Sequence, residues 1–404
     1  MNRRNLCSTI GICAIAGCLR QQDQTDSEPD TTTDTTESDN DTPTDTAEGD
    51  NDTPTESTDQ DPEEFPIELQ ETWQLPSDMR NVTGAAGDIF IQTHSTTFDR
   101  YTTDGEQIFR FDGLEEGYRA DVVETGRNNF FADESGVYLG TRHTSREDGG
   151  TLYAIDSVTG NSRWKISIEY GGVHAITRSD GQLIYSATDP EDNTTYIEAR
   201  NVESGEKLWD LTGLEDRVPN LLPYNDMLII QRATGIEAIN IETKETIFEE
   251  NVIPGFLPAG LHSGALYFQF EGDERLRSLS LPSGDERWSV GIENSPSTPP
   301  SFGEEGVFYG TSAGHILARD QDTGEKLWDN RIDSGIDHEL IIADGVVWIG
   351  SERGTLVGLN AATGEYLYCE QFPEAFTFAV IGDTLVTQNS ASAFTIQNPQ
   401  VSDV

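Results

Sequence analysis

Residue types that commonly carry catalysis are scattered along this chain. The histidines show no HxH or HExxH spacing that would bring two ring nitrogens to one metal ion. The sequence contains no phosphate-binding P-loop. Residues 189–193 (DPEDN) are rich in carboxylates but lack the ligand spacing of an EF-hand, so we interpret them as a solvated acidic loop rather than a Ca²⁺ site. The sequence therefore predicts no catalytic residue and no metal site.

One cysteine lies in a context with a defined chemistry. Arg3 and Arg4 precede a stretch of mostly apolar or small residues (6–17) that is too short to cross a membrane and is typical of a signal peptide. The paired arginines resemble a Tat signal. The run Ile15-Ala16-Gly17-Cys18 resembles a lipobox, in which a peptidase cuts before the cysteine and the thiol carries a lipid. We predict a signal peptide at residues 1–18, lipidation of Cys18 and export to the extracellular face of the cell membrane. The alternative is an uncleaved apolar N-terminus with an incidental cysteine.

Composition separates a stalk from a body. Residues 19–64 are dominated by Thr and Asp and have almost no apolar side chains, so they cannot bury enough surface to fold. Like charges also extend such a segment. We predict that residues 19–64 form a disordered acidic stalk and that residues 65–404 form the folded domain.

The charge balance excludes one function class and suggests an environment. The chain has 73 Asp and Glu against 25 Lys and Arg, a formal net charge of −48. A protein that binds nucleic acid by neutralising phosphates needs a basic face, so we predict no nucleic-acid partner. The basic residues are nearly all Arg, and the acidic excess continues through residues 65–404. Such a surface resembles proteins of salt-adapted archaea, whose self-repulsion is screened by salt. The alternative is an ordinary domain with an acidic tail.

A turn followed by an aromatic residue recurs along residues 65–404. In most copies a Thr-Gly or Ser-Gly pair comes first, as Thr323-Gly324 does before Trp328, and the later copies are about 40 residues apart. The eight positions are Trp73, Phe109, Trp164, Trp209, Phe248, Trp288, Trp328 and Tyr368.

Each aromatic residue must be positioned by a small sheet. Residues 354–360 show the period-2 alternation of a half-buried strand, the Thr-Gly turn follows, and the aromatic residue lies on the next strand. Two further strand-like segments precede each unit. The sequence therefore predicts an all-β fold, an eight-bladed β-propeller of four-stranded blades. Because residues 393–396 lack a following aromatic strand, we expect the N-terminal strand around residues 72–75 to complete the last blade.

The order of these residues resembles the PQQ-type propeller repeat, A-x-D-x-x-T-G-x-x-x-W, over roughly residues 67–398. That repeat occurs in quinoprotein dehydrogenases and in the BamB type of outer-membrane assembly lipoprotein. The resemblance implies that the eight aromatic side chains pack between neighbouring blades. The WD40 repeat is the rival, because Trp209-Asp210 and Trp328-Asp329 occur, but each follows a Thr-Gly or Ser-Gly turn and no matching Gly-His starts the units.

The resemblance leaves several functions open. In the quinoproteins it implies a Ca²⁺ held by Glu, Asn and Asp, a separate Asp base and often adjacent cysteines. This chain has neither a Cys-Cys pair nor a CxxCH haem motif. We therefore predict a monomeric, non-enzymatic binding or assembly platform without a cofactor, which contacts an unidentified protein or glycan, with the partner surface at residues 111–129 and 142–150. The alternatives are a PQQ-dependent dehydrogenase and a structural component of the cell envelope.

Overall fold

A computed structural model describes residues 65–397 of the chain, apart from short stretches within the connections between strands. The undescribed stretches are residues 95–96, 115–117, 120–128, 144–148, 169–171, 190–193, 215, 233, 252–256, 271–274, 293–295, 333, 337, 373–375 and 389–390. The chain divides into two units, Met1–Glu64 and Phe65–Val404. The signal peptide predicted for residues 1–18, the lipidated Cys18 and the stalk predicted for residues 19–64 lie outside the described residues.

The described chain forms eight antiparallel sheets of four strands, here called blades 1 to 8. It begins with β1 (Glu68–Gln74), which belongs to blade 8. Blade 1 contains β2 (Asn81–Ala85), β3 (Asp88–His94), β4 (Thr97–Tyr101) and β5 (Gln107–Phe111). A short strand β6 (Tyr118–Arg119) follows. Blade 2 contains β7 (Phe130–Asp133), β8 (Gly136–Gly140), β10 (Gly150–Ile155) and β11 (Ser162–Ile168), and β9 (Arg142–His143) pairs with β6.

The next three blades follow the same meander. Blade 3 contains β12 (Val173–Ser179), β13 (Gln182–Thr188), β14 (Thr195–Asn201) and β15 (Lys207–Leu214). Blade 4 contains β16 (Asn220–Tyr224), β17 (Met227–Arg232), β18 (Gly235–Asn240) and β19 (Thr246–Glu250). Blade 5 contains β20 (Gly260–His262), β21 (Ala265–Phe270), β22 (Arg275–Ser280) and β23 (Glu286–Gly291).

The last three blades complete the ring. Blade 6 contains β24 (Ser301–Gly303), β25 (Gly306–Gly310), β26 (His315–Arg319) and β27 (Lys326–Arg331). Blade 7 contains β28 (Ile341–Ala343), β29 (Val346–Gly350), β30 (Thr355–Asn360) and β31 (Tyr366–Gln371). Blade 8 contains β32 (Phe378–Ile381), β33 (Thr384–Thr387) and β34 (Ser392–Gln397), and β1 is its fourth strand. Among the described residues we find no helix that is long and apolar enough to span a bilayer.

The burial of the strands explains why these segments fold as blades. The second strand of a blade is covered on both sides by neighbouring blades, so β29 reads as an uninterrupted apolar run and is buried throughout. The fourth strand lies at the rim, so β27 exposes several of its side chains and buries Trp328. Apolar clusters then join neighbouring blades. In one of them, Val137 and Leu139 of blade 2 pack with Phe90 and Phe98 of blade 1.

The ring closes where the two ends of the described chain meet. Strand β1 pairs antiparallel with β34, with Leu69 opposite Ile396 and Trp73 opposite Ala393. Leu75 and Ala393 belong to the apolar cluster that joins blade 8 to blade 1. The predicted eight-bladed propeller of four-stranded blades, closed by its N-terminal strand, is therefore confirmed. Closure pairs what would otherwise be the free edge of β34.

Candidate functional site

The eight repeat aromatics all lie on the fourth strand of a blade. Trp73 is on β1, Phe109 on β5, Trp164 on β11, Trp209 on β15, Phe248 on β19, Trp288 on β23, Trp328 on β27 and Tyr368 on β31. Most stand opposite a small residue on the third strand, as Trp164 stands opposite Ala154 and Tyr368 opposite Gly358. A small partner leaves room for a large ring on the rim strand.

Trp328 shows how such a ring is held. Its Nε1 donates a hydrogen bond of 2.8 Å to the carbonyl of Ala361 in blade 7. Gly364, in the same turn, has a positive φ of 77°, and a Cβ there would lie only 2.8 Å from the indole ring. Glycine is therefore required twice, for its backbone conformation and for the space that the ring fills. The Thr363-Gly364 turn of blade 7 thus packs directly against the Trp328 ring of blade 6.

The same contact recurs around the ring. A glycine of the next blade lies against the aromatic side chain in the pairs Trp73 and Gly105, Phe109 and Gly160, Trp164 and Gly205, Phe248 and Gly284, and Trp288 and Gly324. Tyr368 differs, because blade 8 joins the two ends of the chain and has no turn between its third and fourth strands. Tyr368 is buried and lies 5.7 Å from Trp348, centroid to centroid, and its hydroxyl donates to Glu370.

The interface between two neighbouring blades is hereafter called a seam, and the seam between blades 3 and 4 departs from this pattern. Lys244 occupies the glycine position of blade 4 with a φ of 63°, and its Nζ lies 3.8 Å from the centroid of the Trp209 ring. The lysine Nζ donates to the carbonyl of Ile241, the position equivalent to Ala361. The indole of Trp209 instead donates to Gln182 at 2.7 Å. Lys244 thus replaces a packing contact with a cation–π contact, and burial lowers the pKa of its ammonium group.

In blade 6 the Asp of the repeat builds the turn before the aromatic strand. The carboxylate of Asp320 accepts the backbone N–H of Asp322 at 3.0 Å and of Thr323 at 2.8 Å, together with the Thr323 hydroxyl at 2.9 Å. The hydrogen bonds from Thr323 lower the pKa of Asp320. Asn201, Asn240 and Asn360 accept the same two backbone bonds in other blades. An uncharged oxygen acceptor therefore suffices for the turn.

Polar residues that the sequence did not single out lie in several seams. Glu198 of blade 3 is nearly buried and accepts a hydrogen bond from Tyr185 at 2.7 Å. It also forms ion pairs with Arg200 at 2.6 Å and Lys207 at 3.0 Å. Burial, followed by the hydrogen bond to this carboxylate, raises the pKa of Tyr185. The cross-strand partner of Glu198 could be read only from the register of β14, which sequence periodicity does not provide.

The ring has two unlike faces. The turns between third and fourth strands share one face, hereafter the turn face, and hold twelve Asp or Glu and one basic residue, Lys244. The opposite face, hereafter the loop face, carries the connections between blades and between second and third strands. The segments expected to bind a partner, residues 111–129 and 142–150, belong to the loop face and are described only in part. Strands β6 and β9 pair there, so the backbone joins the two segments.

Two of the described histidines contact neighbouring side chains. The ring of His262 stacks on Phe302 with centroids 5.2 Å apart, and Nδ1 of His315 lies 3.0 Å from Oδ1 of Asp329. Within the described part of the chain, no three His, Cys, Asp or Glu side chains are grouped so that they could hold a metal ion.

An eight-bladed ring with an aromatic residue on the fourth strand of each repeat unit, preceded in most copies by a Thr-Gly or Ser-Gly turn, defines a PQQ-like β-propeller. The family described as "Outer membrane protein assembly factor BamB" matches residues 83–243 and 272–400, and the chain belongs to this family. The resemblance inferred from the repeat is therefore confirmed.

Curated relatives match parts of the chain. The outer membrane protein assembly factor BamB of Nitrosomonas eutropha is 32% identical over 116 residues, which cover 29% of this chain and 28% of that protein. The serine/threonine-protein kinase AfsK of Streptomyces coelicolor is 26% identical over 179 residues, 43% of this chain and 17% of the kinase. The chain thus spans less than a third of the length of either relative.

Solved structures share the fold over most of the described ring. BamB from Moraxella catarrhalis has a TM-score of 0.61 at 17% identity, covering 82% of this chain and 97% of that one. A quinohemoprotein alcohol dehydrogenase from Pseudomonas putida HK5 has a TM-score of 0.60 at 13% identity, covering 84% of this chain and 77% of that one. At such identities the likeness concerns the fold alone.

Proposed function

We propose that this protein is an exported, lipid-anchored platform that binds or assembles other proteins at the extracellular face of the cell membrane without catalysing a reaction. Membership of the BamB family is the observation that carries the proposal, since that family is described by assembly. The lipobox-like run that ends at Cys18 supports the anchor. The seams support a rigid body, because seven of the eight repeat aromatics lie against the turn of the next blade.

The loop face is the proposed partner surface. Its connections vary in length, whereas the turns of the opposite face repeat one short, acidic pattern. The described parts of residues 111–129 and 142–150 lie on this face, where β6 pairs with β9. Variable connections on a rigid scaffold are the usual place for recognition.

Crosslinking on intact cells, followed by purification in high salt, tests the platform role. A photo-crosslinking residue at Asp112, on the loop face, should capture a defined protein or glycan partner. The same residue at Glu365, on the turn face, is the matched control and should capture much less of it. Equal and unselective capture from both faces would contradict a specific platform and favour a structural coat.

The PQQ-dependent dehydrogenase is the second candidate, favoured by the fold shared with the alcohol dehydrogenase of Pseudomonas putida HK5. Addition of PQQ and Ca²⁺ to the purified protein, with alcohols or aldose sugars and an artificial electron acceptor, separates the two. We expect no acceptor reduction above the level of the protein without PQQ. Saturable, substrate-dependent reduction would replace the platform with an enzyme.

A further inference from the structure

A buried carboxylate lies in the seam where the ring closes. Asp99 is on β4 of blade 1 and is only 1% exposed. Its cross-strand partner is Ile91, which belongs to the apolar cluster shared by blades 8 and 1, so Asp99 faces that seam. Two residues further on, Tyr101 stacks on Trp73 of the closing strand β1, with centroids 5.6 Å apart. Asp99 therefore lies close to the strand that completes the ring.

The two oxygens of this carboxylate differ in whether they have hydrogen-bond partners. Oδ1 accepts a hydrogen bond of 3.0 Å from Gln107 and lies 3.6 Å from Nε of Arg110, whose side chain is 54% exposed. Oδ2 is buried and has no hydrogen-bond partner among the described residues. A buried carboxylate oxygen without a donor costs free energy, and either hydration or protonation removes that cost.

Two carboxylates at the same register position show that this is not a general property of the fold. Asp99, Glu198 and Glu237 each pair across the blade with the residue that follows the repeat aromatic. Both oxygens of Glu198 have partners. In Glu237, Oε2 lies 2.6 Å from Arg232 and Oε1 accepts the Thr246 hydroxyl at 2.8 Å. Among these three carboxylates, only Asp99 at the closing seam has an oxygen without a hydrogen-bond partner.

We infer that the seam between blades 8 and 1 is a proton-sensitive latch, in which protonation of Asp99 holds β1 on blade 8 and ionisation of Asp99 favours opening. Opening at this seam would hydrate Oδ2, and in the closed seam a proton on the carboxyl group removes the buried charge. The ring would thus become easier to open at its own point of closure as Asp99 ionises.

The surrounding charges set the direction of the effect. Burial is the largest cause that raises the pKa of Asp99, and Asp78, in the connection from β1 to β2, raises it further. Arg110 and Gln107 act in the opposite direction without cancelling the rise. Tyr101, on the same strand, is a further titratable group beside Asp99, and its pKa is also raised, chiefly by burial. A carboxyl group whose pKa is higher in the closed state makes closure weaker as pH rises through that pKa.

Hydrogen exchange of the β1 amides, measured on the full chain over a series of pH values and corrected for intrinsic rates, tests the latch. The amides of β29 in blade 7 serve as the internal reference. In the wild type, protection of β1 relative to β29 should fall as pH rises. Asp99→Asn removes the charge at nearly constant shape. This variant should slow β1 exchange at about pH 7 by about tenfold for each unit of pKa shift removed, and the difference from the wild type should shrink as pH falls and Asp99 becomes protonated.

Glu237→Gln is the matched control, because it neutralises a carboxylate whose oxygens both have partners. It should leave the pH dependence of β1 exchange as it is in the wild type. The latch is refuted if Asp99→Asn keeps that pH dependence, or if β1 in the wild type is equally protected at all pH values. The second result needs no variant, so a folding defect in Asp99→Asn would not rescue the idea.

Discussion

At the scale of single residues, one glycine and one ring define each seam. The ring of Trp328 is 9% exposed, donates to Ala361 and rests on Gly364. Because the contact joins two blades, losing either partner should weaken the ring as a whole rather than one sheet.

Trp328→Ala should therefore lower the free energy of unfolding by about 3–5 kcal/mol, through lost burial and the cavity that remains. Leu327→Ala is the matched control, because Leu327 is the preceding residue and is 46% exposed; it should change stability by no more than about 0.5 kcal/mol. Denaturant unfolding in high salt measures both. A loss below about 1 kcal/mol for Trp328→Ala would contradict the packing role.

Comparing Gly364→Ala with Gly181→Ala separates two costs of adding a methyl group, namely steric overlap with a neighbouring ring and strain in the backbone conformation. Both Gly364 and Gly181 have a positive φ, 77° and 73°, but a Cβ at Gly181 meets nothing within 4 Å. Gly181→Ala should cost about 1 kcal/mol, the strain of a left-handed alanine. Gly364→Ala should cost about 1–3 kcal/mol more, because the methyl group collides with the Trp328 ring. Equal losses, measured by thermal unfolding, would show that the ring moves aside freely.

At the scale of elements, five of the turns before a rim strand are built by a side-chain oxygen acceptor, which is Asp156, Asn201, Asn240, Asp320 or Asn360. Asp320 uses a carboxylate, and Asn360 uses an amide in the next blade. The charged version adds a pH dependence that the amide version lacks.

Asp320→Asn should keep the conformation of the turn and change only how the stability of the fold decreases at low pH. Since hydrogen bonds from Thr323 lower the pKa of Asp320, its contribution is present above the ordinary Asp value and is lost as pH falls through the lowered one. The variant should lose less stability than the wild type as pH decreases below about 4, and Asp104→Asn, at an exposed turn position, serves for comparison. Parallel pH profiles of melting temperature would contradict this account.

Much of this architecture could be predicted because it repeats. The positions of the rim aromatics and the closing strand follow from spacing, since one signal recurs eight times. The role of Lys244 could not be predicted, because its partner, Trp209, belongs to the preceding blade and the contact depends on a positive φ. Asp99 was missed for a similar reason: its environment depends on the register of β4 and on the approach of β1, which are both long-range features.

At the scale of the whole molecule, the predictions concern the net charge and the proposed lipid anchor. The formal charge of −48 makes the chain repel itself, and the turn face concentrates carboxylates in every blade whose third and fourth strands are joined by a turn. The proposed adaptation to salt and the proposed lipid anchor both concern the chain as a unit.

The melting temperature should rise when NaCl increases from about 0.1 M to about 1 M, because the Debye length falls from about 10 Å to about 3 Å. KCl should act equally well, whereas sucrose at matched osmolality should raise the melting temperature much less, since it screens no charge. A melting temperature that does not depend on salt would refute salt adaptation.

Cys18→Ser should release the protein from the membrane, because the serine hydroxyl cannot carry the lipid. Fractionation of cells, with intact-mass measurement of the released protein, provides the check. Cys13→Ser is the control, since Cys13 lies in the segment predicted to be removed, and it should leave membrane attachment intact. Unchanged attachment of Cys18→Ser would overturn the lipoprotein assignment.

The pairing of β1 with β34 also bears on biosynthesis. More than three hundred residues separate the two strands, so blade 8 must wait until the ribosome has completed β34. Until then β1 has no strand to pair with, and the side of blade 1 that packs against blade 8 stays uncovered. The ring therefore cannot close before β34 has been synthesised, and β1 must stay available for pairing until then.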